Sequence, residues 1–383
     1  MSDVGTCIAA SPRSGYVHVP FCRHRCGYCN FSVLQGRDDL AETFVDVILQ
    51  ELGHWNAPEL DTVFFGGGTP THLSDSELSR LLSGFCERAS LSADAEVSVE
   101  ANPEDITSDR LKLLLDHGVN RISMGVQSFD EDKLARLERG HDRDRAIKAI
   151  ELASQIIGNV SIDLIFAAPG ETLSIWKSDL ATAFSLPINH LSTYALTFEQ
   201  GTSFWTRRVR GEIMSAEEDL ELSMYEWVLD CAPESGFEHY EVSSFAKSGF
   251  RCRHNLAYWH GAGWFAAGPS AAGFVDGVRT VNHRSPTTYL ERMKAGISPI
   301  VERDSIDRET HARERLAFGL RMIDGVDLEG LSGECGIRLG ELCGSAISQC
   351  EGQGWLLRDG DRLRMSRQGI LFADSIASLV LSD

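Results

Sequence analysis

The sequence predicts an α/β protein: a partial (β/α)6 barrel followed by a small, mainly helical C-terminal domain with a winged-helix-like hairpin. Three observations predict it. From Tyr16 to about Phe245 a short apolar run, a Gly-rich or polar loop and a helix-period stretch recur about every thirty residues, the alternation that builds a parallel sheet. Beyond Ser305 that rhythm gives way to helical periodicity. The chain's 383 residues also exceed the roughly 250–300 at which a single core stops growing, so a second, smaller domain is expected.

The strand candidates, in order, are Tyr16–Val19, Thr62–Phe65, Glu96–Val99, Arg121–Gly125, Val160–Phe166 and His190–Leu196, each short, apolar and bounded by turn residues. Between them Leu40, Phe44, Val47, Ile48 and Leu52 keep helical spacing, as do Leu220, Met224, Trp227, Val228 and Cys231. An open doubly wound sheet is the competing architecture, but it would place a G-x-G-x-x-G turn after the first strand, and none is there. In a barrel the chemistry belongs on the loops after the strand C-termini. Farther on, alternating residues over Trp355–Met365 flank Asp359-Gly360 as in a hairpin, and an apolar helix ends the chain. These signals divide the chain into an extension (1–15), the barrel (16–245), a connecting segment (246–304) and the C-terminal domain (305–383). Fixed-period repeats and low-complexity tracts are absent.

The composition is that of a globular protein, with 43% apolar and 24% charged residues. With 56 acidic against 36 basic residues the net charge is −20, which repels phosphate and makes nucleic acid an unsuitable partner. A winged-helix DNA reader is set aside on the same ground. No apolar run is long enough to span a bilayer and residues 1–15 lack a signal-peptide plan, so a cytoplasmic location is expected. In that reducing compartment a cluster of the ten cysteines reads as metal-binding or catalytic rather than as disulfides.

Such a cluster follows the first strand: Cys22-Arg-His-Arg-Cys26-Gly-Tyr-Cys29, spaced C-x3-C-x2-C. Three thiolates on one tight loop can hold three corners of a cubane iron–sulfur cluster, with the fourth iron left open for a substrate. A zinc site recruiting His24, or three free thiols, are the alternatives; structural zinc more often takes its ligands as two separated pairs. The remaining seven cysteines, Cys7 and Cys86 among them, read as small core hydrophobes.

With its flanking residues, this loop resembles the radical S-adenosylmethionine superfamily along nearly the whole chain. Tyr16-Val-His-Val-Pro-Phe-Cys22, Gly66-Gly-Gly-Thr-Pro70, Val99-Glu100-Ala-Asn-Pro103, Ser123-Met-Gly-Val-Gln127 and Ile162-Asp163-Leu-Ile look like its oxygen-independent coproporphyrinogen III dehydrogenase branch. The resemblance implies a [4Fe-4S] cluster on Cys22, Cys26 and Cys29 and a bound S-adenosylmethionine, split by one electron to a 5′-deoxyadenosyl radical. By residue-by-residue match, Tyr16, Tyr28, Gly67, Gly68, Thr69, Glu100, Gln127, Arg139, Asp163 and Ala195 would hold one or two molecules of it. The glycines would admit backbone groups close to the methionyl end, Glu100 would pair with its ammonium and Asp163 would accept from ribose hydroxyls. As bland alternatives, the glycine triplet is a flexible turn, Glu100 a rim salt bridge and Arg139 a surface helix residue.

Two departures select a branch. Where the dehydrogenases have a fourth cysteine this chain has Phe31, and only 21 residues precede Cys22, too few for their N-terminal arm. Both departures match the HemW-type heme chaperones. So does Arg251-Cys-Arg-His254-Asn255-Leu-Ala-Tyr258-Trp259, which carries an H-N-x-x-Y-W motif: His254 or Cys252 would ligate heme iron, Asn255, Tyr258 and Trp259 would contact the macrocycle, and Arg251 or Arg253 would pair with propionates. The alternative is that His254 and Asn255 hydrogen-bond a loop while Tyr258 and Trp259 fill core. Two shared motifs, Gly268-Pro-Ser-Ala-Ala-Gly-Phe274 and Glu314-Arg-Leu-Ala-Phe-Gly-Leu-Arg-Met, do not discriminate between branches. The expectation is a chaperone that delivers heme to acceptor proteins, membrane-bound respiratory enzymes included, with flavodoxin or ferredoxin as electron donor and a homodimer as one form. Coproporphyrinogen III oxidation is the enzymatic rival, and a plain zinc module the other.

Overall fold

The computed structural model describes residues 12–383. Cys7 and most of the N-terminal extension lie outside them. Six strands run parallel and in sequence order: β1 (Ser14–Val19), β2 (Leu60–Gly67), β3 (Leu91–Ala101), β4 (Arg121–Gln127), β5 (Val160–Phe166) and β6 (His190–Ala195). Three more were not legible in the sequence. β7 (Glu238–Glu241) and β8 (Ser244–Ala246) form a hairpin antiparallel to β6, and β9 (Phe265–Ala267) adds in parallel beside β1. The sheet order is β9-β1-β2-β3-β4-β5-β6-β8-β7.

Period-2 alternation sorts the side chains of these strands. Val17, Val19, Val63, Phe65, Val97, Val99, Ile122, Met124, Ile162 and Leu164 join the large apolar core shared with the helices. The residues between them are mostly polar or glycine, His18, Gly66, Ser98, Glu100, Ser123 and Asp163, with the Phe64 ring as the apolar exception. One set seals sheet to helices, and the other leaves a polar lumen.

The helix Ala41–Leu52 buries Phe44, Val47, Ile48 and Leu52, as its spacing requires. The helix Glu218–Glu234 buries Met224 and Val228, whereas Trp227 stays 38% exposed beneath Lys177, so one residue of that expected stripe faces outward. Residues 246–304 are more than a connection. They supply β9, a helix Pro286–Lys294 and an antiparallel sheet of Ala272–Val275, Val278–Asn282 and Ile300–Ser305. They are stapled to the barrel by buried Glu51, which accepts from Gly268 N (2.9 Å), Asn282 Nδ2 (2.6 Å) and Tyr289 OH (2.5 Å).

The C-terminal region has its own core around Leu316, Leu328, Leu339, Ile347, Leu363 and Ile376. Leu356–Asp359 and Arg362–Met365 pair antiparallel across a turn at Gly360, whose positive φ of 59° suits glycine. Among the described residues no helix is long and apolar enough to cross a membrane. Cys252, Cys335, Cys343 and Cys350 are buried as small hydrophobes, but Cys86 is exposed, against expectation.

Candidate functional site

One cleft opens at the C-terminal ends of β1 to β5. Cys22, Cys26 and Cys29 line it together with Tyr28, Gly67, Gly68, Thr69, Glu100, Asn102, Gln127, Arg139 and Asp163. Residues scattered over some 140 positions of chain thus converge on one opening, because most follow or end strands of the same parallel sheet, while Asp163 points into the lumen from the middle of β5.

The cysteine loop is anchored from both sides. Arg284 donates to Asn30 O (2.8 Å) and Asn30 Oδ1 (2.6 Å), and Cys29 N donates to Cys26 O (3.0 Å) to close the turn. Gly68 N and Thr69 N donate to Val19 O (2.9 Å) and Phe21 O (2.7 Å), fixing the glycine loop against the strand that leads into the cysteines. The glycines are needed for this packing. A Cβ on Gly67, whose φ is 98°, would lie 2.2 Å from the His18 ring, and one on Gly66 would lie 2.7 Å from the Glu100 carboxyl carbon. The triplet is therefore a close-packed junction between β1, β2 and Glu100 rather than a flexible turn.

A hydrogen-bonded chain crosses the floor. Arg139 donates to Cys26 Sγ (3.4 Å), Gly125 O (2.7 Å) and Asn102 Oδ1; Asn102 Nδ2 donates to Thr69 Oγ1 (2.8 Å), which lies 3.4 Å from Cys22 Sγ. Arg139 is thus held inside the cleft. Asn102 was not singled out as a site residue. Its position two residues beyond Glu100, at the end of β3, is the signal that could have found it. Gln127 has a positive φ of 68° beside a register shift in β4, a strained backbone of the kind that clusters at working sites.

Two carboxylates face the cysteines. Glu100 accepts from Gly67 N (2.9 Å), and burial, with Asp163 opposite, pushes its carboxyl up to about 8. Burial lifts Asp163 to about 6, against a hydrogen bond from Ser192. Such a pair is costly unless a cationic or hydroxyl-bearing ligand lies between. Burial pushes the Cys22 thiol up to about 12, with Thr69 only partly opposing; a thiolate there requires a cation beside it, as iron would be. Among the described residues no three His, Cys, Asp or Glu side chains gather tightly enough for a single ion. A zinc ion draws its ligands to about 2.3 Å from one point, while a cubane gives each thiolate its own iron. Three thiols around one cleft fit the cubane.

Two of the expected S-adenosylmethionine residues lie elsewhere. Tyr16 is in the lumen below the cleft, stacked on Phe64 and 3.1 Å from His18 Nδ1 through its hydroxyl. Ala195 borders a separate groove with Phe166, Tyr194 and residues of the C-terminal domain.

The expected heme residues lie apart from this cleft. They form the helix Arg253–Trp259, which closes the opposite, N-terminal end of the barrel. Glu96 caps it, accepting from Arg253 N and His254 N (both 3.0 Å). His254 is 1% exposed, stacks on Phe64, and has both ring nitrogens engaged, Nδ1 with Thr62 Oγ1 (2.9 Å) and Nε2 with Tyr258 OH (2.8 Å). Burial lowers it to about 3, so it is neutral. Tyr258 packs edge-on against Trp264, Asn255 is half-buried on the same helix, and buried Cys252 turns its thiol to Glu96 Oε1 (3.6 Å). The inner face of this helix is a polar plug.

A parallel barrel with a three-cysteine loop after β1 and paired carboxylates at its mouth defines a radical S-adenosylmethionine protein. The radical SAM superfamily profile matches residues 16–181, and the HemN C-terminal domain profile matches 306–372. Across 97% of its length the chain is 32% identical to the heme chaperone HemW of Lactococcus lactis, covering 98% of that protein, and 33% identical to the heme chaperone HemW of Escherichia coli, covering 99%. Against the heme chaperone HemW of Bacillus subtilis the identity is 32%, with 97% and 100% covered. The chain belongs to the HemW family of radical SAM proteins. In fold it resembles coproporphyrinogen III oxidase (HemN) from Escherichia coli, with a TM-score of 0.86 at 21% identity, over 97% of this chain and 90% of that one.

Proposed function

We propose that this chain is a heme chaperone that holds a [4Fe-4S] cluster on Cys22, Cys26 and Cys29, binds S-adenosylmethionine at the open iron, and passes heme to acceptor proteins. The observation that carries the proposal is the convergence of three thiols and two carboxylates, Glu100 and Asp163, on one cleft. When bound, the cluster would supply the electron that splits the sulfonium bond of S-adenosylmethionine. The chain's own residues orient and shield: Glu100 receives an ammonium, Asp163 receives hydroxyl donors, and Arg139 with Asn102 and Thr69 fixes the thiols.

Phe31 supports the chaperone over the oxidase. It stands where the dehydrogenases carry a further cysteine and is 64% exposed at the rim, so that position offers no fourth thiol to the site. Heme acceptors, including membrane-bound ones, and a flavodoxin or ferredoxin donor are part of the proposal, as is residence in the cytoplasm.

The test is anaerobic reconstitution followed by two incubations. With hemin, a Soret shift and transfer to an apo-acceptor are expected. With S-adenosylmethionine, a reductant and coproporphyrinogen III, no protoporphyrinogen IX is expected; its stoichiometric formation would replace the chaperone with the oxidase.

A further inference from the structure

The helix Glu131–Arg136, which follows β4, ends in a turn closed by two hydrogen bonds, Glu138 N to Ala135 O (3.1 Å) and Arg139 N to Leu134 O (3.0 Å), the pattern of a Schellman cap. The residue that such a cap bends into the left-handed region is most often glycine, which has no Cβ to strain. Here it is Glu138, with a φ of 57°. A bulky residue kept in a strained turn has its reason in what the side chain does. Glu138 Oε2 lies 3.8 Å from Nε2 of His24, which stands between the first two cysteines, and Glu138 Oε1 accepts from Arg207 Nη1 (3.1 Å) of the helix Ser203–Val209. We propose that Glu138 is a positioning residue for the cluster: its carboxylate clamps the cysteine loop, and its charge beside Cys26 holds the reduction potential of the cluster down.

The proposal rests on the cluster-binding reading above and adds to it the group that sets the loop. One turn of chain grips Cys26, whose Sγ lies 3.8 Å from Glu138 O and 3.4 Å from Arg139 Nη1. The next residue, Gly27, has room for no side chain. A Cβ there would lie 2.8 Å from Glu138 Oε2 and 2.5 Å from the Phe204 ring. The carboxylate is thus packed on the backbone between Cys26 and Tyr28. Phe204 N donates to Gly27 O (2.8 Å), and its ring meets Tyr28 edge-on. The helix Ser203–Val209 therefore holds the loop twice, directly through Phe204 and by way of Glu138 through Arg207.

Charge gives the same residue a second effect. Reduction adds one electron to the cluster; a carboxylate beside Cys26 opposes that added charge, while Arg139 on the other side of the thiol favours it. The Glu138 side chain is 33% exposed, so water screens the effect without cancelling it. A strongly reducing cluster is what one-electron cleavage of a sulfonium bond requires. Glu212 supplies the comparison. It reaches the same arginine, 3.9 Å from Arg207 Nε, but its half-exposed side chain makes no contact with the cysteine loop.

The full chain, reconstituted without oxygen, tests this as wild type, Glu138→Gln, Glu138→Gly and Glu212→Gln, with far-UV circular dichroism confirming that each is folded. Glu138→Gln removes the charge and keeps the shape; Glu138→Gly also relieves the left-handed backbone, so a loss shared by both variants does not come from strain. Both should hold iron against a chelator on the order of 10-fold less well, as loss of an outer-shell partner costs. In a redox titration followed by electron paramagnetic resonance, both should raise the potential by up to about 59 mV, a tenfold change in the ratio of reduced to oxidised cluster. Glu212→Gln should match the wild type in both readouts. If the wild type takes up no cluster, the cluster-binding reading itself fails. If the wild type loads while Glu138→Gln keeps its potential or its iron retention, or Glu212→Gln moves both as far, Glu138 has no special hold on the loop and this inference is overturned.

Discussion

Replacing Glu100 by glutamine should stabilise the apo-protein while weakening its hold on S-adenosylmethionine. The carboxyl is pressed between Gly66 and Asp163 and is raised from an ordinary 4.5 to about 8. A raised acid binds its proton more tightly folded than unfolded. Its contribution is therefore intact below about pH 4.5 and is lost as pH climbs through 8. At about 1.4 kcal/mol per tenfold change, the whole displacement is worth an upper bound of about 5 kcal/mol. Glu100 is only half-buried and the cleft admits water, which reduces the effect to ~2 kcal/mol at pH 8 and well under 1 kcal/mol at pH 5. Glu100→Gln is nearly isosteric and its Oε1 can still accept from Gly67 N. Urea unfolding of the apo-protein at both pH values reads the difference, with an unchanged m-value as the check on two-state behaviour. A variant less stable than wild type at pH 8, or a difference that does not grow with pH, would refute the reasoning. On the reconstituted protein, calorimetry should show S-adenosylmethionine binding weakened, since the ammonium loses its charged partner.

Lys133 is fully buried against Glu171 (2.5 Å) and Asp179 (2.9 Å); Lys133→Met leaves two carboxylates unpaired and should cost about 3–5 kcal/mol by thermal or urea unfolding. Gly67→Ala combines a positive φ with a Cβ inside the His18 ring, so roughly 2–4 kcal/mol of destabilisation and poorer iron loading are expected, read by urea midpoint and by absorbance near 400 nm. Asn102→Leu breaks the link from Arg139 to Thr69 and should reduce S-adenosylmethionine affinity on the order of 10–100-fold while iron content stays near wild type. Unaltered affinity would show that the link does not orient the site.

Much of this was legible in the sequence, for physical reasons that differ by element. β5 was found with its observed bounds because Val160–Phe166 is a continuous apolar run apart from Ser161 and Asp163. β7, β8 and β9 were missed because three- and four-residue strands are too short to show a period, and they pair only because the barrel offers them an edge. At the mouth, the three thiols and Glu100 were readable because they follow or close a strand, and Asp163 because it is a carboxylate within an otherwise apolar one. The role of the glycines was not, since it depends on the His18 ring and the Glu100 carboxylate approaching from other strands. His254 shows the limit most clearly. Motif and residue type mark it out, but the partners the fold gives it, Thr62, 192 positions away, and Tyr258, are not readable from the sequence.

The most direct measurement is iron and sulfide content after oxygen-free reconstitution, with wild type and Cys26→Ala side by side. About four irons and four sulfides per wild-type chain are expected, with an electron paramagnetic resonance signal of the reduced cluster that shifts when S-adenosylmethionine is added; Cys26→Ala should lose both. A folded wild-type chain that takes up no iron–sulfur centre, or one whose signal ignores S-adenosylmethionine, would contradict an open iron at the barrel mouth.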